Sequence, residues 1–250
     1  ILIEYKADLD LNTCKENTPL HIACFYGYVD IVKLIIEKNV DLHLKNIYGN
    51  TPLHLACMKG HVDIVKLLIE KGADVNVKNI NNETPLHIAY EKGYLRIFKL
   101  LIEKNAYLNL KNSDGHTPLH LACMKGHVDI VKILIEYKAD LDLNTCKENT
   151  PLHIACKKNR SGIVKLLIEN NANLNLKDSK KNTPLLLACK KNYANIIKLL
   201  IENNANLNLN DSMENTPLHL ECMKGHVDIV KLLIEKNAVL DSKNSEGQTP

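Results

Sequence analysis

Residues 48–80 read YGNTPLHLACMKGHVDIVKLLIEKGADVNVKNI, and this stretch decides the fold. Thr51 is a residue type that caps helices, and Pro52 follows at the first helical position, where its missing N–H costs nothing. The apolar run Leu53-His54-Leu55-Ala56-Cys57 leads to Gly60, placed where a left-handed residue ends a helix. A second helix is predicted from about Val62 to Glu70, with Ile64, Val65, Leu67, Leu68 and Ile69 as a broad apolar stripe. Gly72 stops it, and Ala73 to Lys78 reads as extended, alternating apolar and polar. Helices this short are marginal alone in water, so their apolar faces must be buried by stacking.

Stacking is what the rest of the chain supplies. Thr-Pro recurs at Thr18, Thr51, Thr84, Thr117, Thr150, Thr183, Thr216 and Thr249, always 33 residues apart. The complete repeats are 15–47, 48–80, 81–113, 114–146, 147–179, 180–212 and 213–245, with partial units at 1–14 and 246–250. Residues 1–24 are identical to 133–156, four repeats on, which marks recent duplication. The segments Thr-Pro-Leu-His-x-Ala, Gly-His-x-x-Ile-Val-x-Leu-Leu and Gly-Ala-Asp-Val-Asn resemble those of ankyrin repeats, and the resemblance covers the whole chain. It implies an all-α repeat solenoid of stacked helix-turn-helix units with projecting β-hairpin-like loops. It further implies a concave face of loop tips and first helices that grips partners, with the second helices as the convex back.

Composition narrows the function. The 250 residues are 45% hydrophobic, so wholesale disorder is excluded, and the net charge of +3 is too small for general nucleic-acid or membrane affinity. Lys and Glu interrupt every apolar run short of a membrane span, and no basic-then-apolar leader opens the chain.

The eleven histidines invite a metal or catalytic reading. Six share one slot, His21, His54, His87, His120, His153 and His219, and helices stacked roughly 8–10 Å apart keep them from converging. In repeats of this family the imidazole bonds the Thr hydroxyl and nearby backbone, tying loop to helix. His61, His127 and His226 open second helices and read as structural or solvent-facing. Cys24, Cys57, Cys123, Cys156, Cys189 and Cys222 share another slot, with Cys14 and Cys146 in the loops. One-repeat spacing forbids disulfides along that helical ladder and no zinc spacing occurs, so the thiols read as small buried hydrophobes in the cytoplasm or another reducing compartment. Phosphate-loop, serine-elbow and zinc-protease signatures are all missing, and the expectation is a non-catalytic protein that needs no cofactor or metal.

Information about a partner lies where the copies differ. Repeats one to three present Phe25, Tyr26, Ile47, Tyr48, Met58, Ile80 and Tyr90. Repeats five and six present Lys147, Lys157, Lys158, Lys180, Lys181, Lys190 and Lys191, with Arg160 nearby. Residues 147–212 hold eleven basic and five acidic residues, a local +6 that leaves −3 for the remainder. The expected partner of this monomeric scaffold is therefore a protein segment with hydrophobic and acidic parts. The lysines lack the interleaved aromatics of single-strand binders, which ranks nucleic acid last. The competing explanation is coding bias, because Lys, Asn and Ile are frequent throughout.

Several positions break the pattern. Leu186 replaces the slot histidine, Glu221 replaces a tightly packed Ala and reads as a weak point, and Asn159 and Asn192 stand where Gly ends a first helix. Gly162 weakens a second helix, so the basic repeats read as the softest part of the stack. The chain opens inside a second helix and stops at a fresh Thr249-Pro250, so it reads as a fragment. The alternative role is then a recruiting array for an enzyme or membrane-associated protein whose other domains lie outside it.

Overall fold

The structure, a computed structural model, describes residues 15–250. The partial unit 1–14, Cys14 included, lies outside the described residues. The chain divides between Ser113 and Asp114 into two compact units. Unit one holds α1 (Pro19–Tyr26), α2 (Val29–Ile36), α3 (Pro52–Lys59), α4 (Val62–Glu70), α5 (Pro85–Glu91) and α6 (Leu95–Glu103). Unit two holds α7 (Pro118–Lys125), α8 (Val128–Glu136), α9 (Pro151–Lys157), α10 (Ser161–Glu169), α11 (Pro184–Lys191), α12 (Ala194–Glu202), α13 (Pro217–Met223) and α14 (Val227–Glu235). Among the described residues no strand forms, and the chain is an all-α repeat solenoid.

Each first helix begins in the predicted way. Thr18 is extended at ψ 165, its hydroxyl accepts from the His21 N–H, and Pro19 occupies the first turn. A Thr cap of this kind stabilises a helix by roughly 1 kcal/mol. The histidine completes the cap from its other side, since His21 Nδ1 lies 2.9 Å from the Thr18 hydroxyl and accepts from the Thr18 N–H at 3.2 Å. His21 Nε2 then donates to the Asn50 carbonyl at 3.0 Å, which lies in the next repeat. His54 reaches Glu83, His120 reaches Asn149, His153 reaches Asn182 and His219 reaches Gln248 in the same manner. The histidine ladder therefore ties repeat to repeat as well as loop to helix. Burial holds the His54 pKa down to about 4, so this rung is neutral near pH 7.

Within unit one, α1, α3 and α5 stack as one layer and α2, α4 and α6 as another. In unit two, α7, α9, α11 and α13 repeat the first layer, and α8, α10, α12 and α14 the second. The core is the set of slots that face the neighbouring repeat, such as Leu53, Ala56, Cys57, Ile64, Val65 and Leu68, each at 1% exposure or less. Burying one such Leu, Ile or Val side chain is worth about 1.5–3 kcal/mol, so the stack supplies what the short helices lack. Gly27 and Gly60 end first helices at φ 81 and 82. A Cβ on Gly27 would come within 2.5 Å of the His61 ring, and one on Gly60 within 2.8 Å of Tyr94. The residue that opens the next second helix thus packs on this glycine, which accounts for the slot of His61 and Tyr94.

Loop tips are joined more lightly than hairpins in a sheet. The Ile80 N–H donates to the Tyr48 carbonyl at 3.2 Å, and in unit two Ser179 donates to Lys147 and Ser245 to Met213. The helices of repeats five and six form over their full length despite Asn159, Gly162 and Asn192. Asn159 and Asn192 take the left-handed conformation at φ 55 and 60 in place of glycine.

Candidate partner-binding surfaces

In unit one the aromatic residues collect at the end of α1. Phe25 and Tyr26 meet edge to face at 5.2 Å between ring centroids, and Tyr26 stacks on Tyr28 at 5.8 Å. Lys59 Nζ sits 4.1 Å from the Phe25 centroid, a cation held on a ring face. Phe25, Tyr26, Tyr48, Met58 and Ile80 line one groove of about 660 Å³, with Asn50, Asn79 and Glu83 among its polar groups. Tyr26 is 61% exposed and Ile80 63%, far above what a packed side chain shows. Ile47 and Tyr48 are also exposed at the loop tip, while Phe25 and Met58 are half-buried. Ile22 and Leu55 line the same groove and were missed by sequence reasoning, because their slot is apolar in every repeat and carried no contrast.

Tyr90 corrects the expectation. It is 3% exposed and packs against Phe98 at 6.4 Å between centroids. The register could have shown this, since Tyr90 occupies the slot that Cys57 and Cys123 fill in neighbouring repeats. It is a core residue and presents nothing to a ligand.

In unit two Lys147, Lys180 and Lys181 stand exposed at loop tips, and Lys157, Lys158 and Lys191 at the ends of α9 and α11. Lys190 is a second correction. Its ammonium lies 2.7 Å from Asp211 Oδ2, a side chain only 2% exposed, and donates to Asn182 Oδ1 at 2.6 Å. Burial by itself would raise the Asp211 pKa. The Lys190 hydrogen bond and charge, with the Asn215 and Met213 backbone amides, outweigh burial and hold it below the ordinary carboxylate value. This pair joins α11 to the loop that closes repeat six, where Leu186 cannot supply the histidine tie.

The repeat register also discounts Lys158 and Lys191. Their slot holds Lys59, Lys92, Lys125 and Lys224 as well, so they do not distinguish repeats five and six. Lys224 shows the work of the slot, donating back to the Cys189 carbonyl and to Asn192 Oδ1 in the preceding repeat. Lys147, Lys157, Lys180 and Lys181 carry no such tie, and outside repeats five and six their slots hold only one other lysine, Lys15 of repeat one. Arg160 packs over Gly126, its guanidinium 2.8 Å from where a Cβ would stand.

The buried thiols are chemically quiet. Burial pushes Cys24 up to about 12 and Cys57, Cys123 and Cys156 further still. Among the described residues, no group of three or more His, Cys, Asp or Glu side chains is arranged to hold a metal ion. No described helix is long and apolar enough to cross a membrane.

A family model described as "Ankyrin repeats (3 copies)" matches residues 1–79, 38–112, 86–178, 137–211 and 172–244. No curated protein matches the chain. Seven capped helix pairs in register and matches running through nearly the whole sequence agree: the chain belongs to the ankyrin repeat family, whose repeats generally serve as protein–protein interaction modules.

Proposed function

We propose that the chain is a non-catalytic scaffold that holds a partner protein on the concave face of its ankyrin stack. The observation that carries this reading is the groove of unit one, where Tyr26, Tyr48 and Ile80 stay exposed beside Phe25 and Met58. Aromatic side chains held apart from their own core are the anchors that protein interfaces use. The partner carries hydrophobic residues for this groove and acidic ones for Lys147, Lys157, Lys180 and Lys181 in unit two. The scaffold acts as a monomer, and its buried thiols suit a reducing compartment such as the cytoplasm.

The test begins with capture of a partner and continues with its kinetics. Tyr26→Ala with Tyr48→Ala should speed dissociation, by roughly tenfold or more if these are anchors. Lys→Glu changes at 147, 157, 180 and 181 should slow association and flatten its salt dependence above ~0.15 M. Unchanged rates in both variants would sink the reading, and unchanged salt dependence alone would reduce the lysines to coding bias.

A further inference from the structure

The slot that Glu221 fills, two residues after the histidine slot, holds Ala23, Ala56, Ala89, Ala122, Ala155 and Ala188 in the other six repeats, all 2% exposed or less. Glu221 is itself 0% exposed. Its Oε2 lies 2.6 Å from His226 Nδ1, and its Oε1 is buried with no hydrogen-bond partner. His226 is half-buried at 35% side-chain exposure, so water reaches the base that faces the buried acid.

The carboxylate lies at the junction of two repeats. The Cys189 thiol on α11 of repeat six is driven well up by burial first, and then by the Glu221 charge and hydrogen bond. Lys224 also faces this thiol, but its ammonium is committed to the Cys189 carbonyl and Asn192. Lys198 from α12 and Asp228 from α14 line the cavity that Glu221 and His226 share. Among these groups only His226 makes a direct ion pair with Glu221. A buried carboxylate keeps its charge at tolerable cost only while such a partner is charged too.

We propose that Glu221 and His226 form a proton-gated latch at the junction of repeats six and seven, closed while the imidazole carries its proton and loosened as that proton leaves. Imidazole is the side chain whose unperturbed charge change falls between about pH 5 and 8. On losing the proton it can still donate one neutral hydrogen bond. The carboxylate then keeps an orphaned oxygen and no direct counter-charge, and opening toward water relieves it. The sign is opposite to that of the histidine ladder, whose buried neutral rungs such as His54 favour the folded state as pH rises. Asp211, held below the ordinary carboxylate value beside Lys190, stays ionised throughout this range, so that pair does not confound it.

The experiment is hydrogen exchange by mass spectrometry on the whole chain from about pH 6 to about pH 8.5, corrected for intrinsic rates. Protection of residues 213–245 relative to 147–179 should fall with rising pH, by at most roughly tenfold per pH unit for one proton. Glu221→Ala should remove the dependence, and Ala is what the other repeats carry there. His226→Tyr, the residue at Tyr28, Tyr94 and Tyr193, should leave repeat seven equally loose at every pH. A relative protection that is flat with pH in the unchanged chain overturns the latch. So does a pH dependence that survives in either variant.

Discussion

The end of α1 in unit one reads Phe25-Tyr26, and the corresponding ends of α9 and α11 in unit two read Lys157-Lys158 and Lys190-Lys191. The backbone beneath is the same: a Thr cap, a Pro in the first turn and a left-handed residue after the helix. What differs is whether the slot side chain is available. Phe25 lines the groove beside Tyr26, which stands 61% exposed, while Lys190, in the Phe25 slot, is drawn into a pair with the buried Asp211. A variable position in a repeat array is thus a candidate for recognition only once its neighbours in the following loop have been consulted.

The largest effect should come from testing which aromatic residues of unit one are surface. Tyr90→Ala removes a packed ring and should cost about 3–4 kcal/mol. Tyr26→Ala should cost under about 0.5 kcal/mol. Urea unfolding of each variant checks both, and a similar loss for the two would erase the distinction between core and groove.

Acid sharpens the comparison by sign. His54 has its pKa lowered from 6.5 to about 4 by burial, so the unfolded chain takes up the proton first. The stability from this rung is complete above pH 6.5 and drains as pH falls toward about 4, up to about 3 kcal/mol. Asp211 is lowered instead from 3.8, so its contribution in unit two is present above that value and lost only at stronger acidity. A pH series of unfolding midpoints should therefore show the histidine loss first. His54→Leu, the residue that repeat six has at Leu186, should flatten the slope between about pH 4 and 6.5.

A smaller effect separates two lysines of the same slot. Lys190→Ala leaves Asp211 buried without its counter-charge and should cost about 2 kcal/mol, less than a fully buried pair because Lys190 is partly exposed. Lys157→Ala, one repeat earlier, should stay within about 0.5 kcal/mol. Equal losses in denaturation would show that the Asp211 pair contributes nothing beyond a surface contact.

Much of this was legible in the sequence because it is local. The Thr cap, Pro52, the end of α3 before Gly60 and the span of α4 from Val62 to Glu70 depend on residues within one or two turns of each other. Even the burial of Tyr90 was written in its register with Cys57. Repeats five and six, expected to be soft, form their helices all the same, and Asn159 and Asn192 adopt the left-handed turn that glycine supplies elsewhere.

By itself the sequence determined the 33-residue period, the helix ends, the neutral core slots and the family, since each follows from hydrogen bonds and apolar spacing inside one repeat. Only the tertiary structure decided which polar side chains were already taken. Lys190 and Asp211 are 21 positions apart, and no periodic pattern says that they meet. Glu221 and His226 are five apart, yet their pairing depends on the turn between α13 and α14 and on the repeat packed beside them. The stagger of one repeat on the next and the rotamer of each long side chain set these contacts, and neither is recorded in the spacing of residues along the chain.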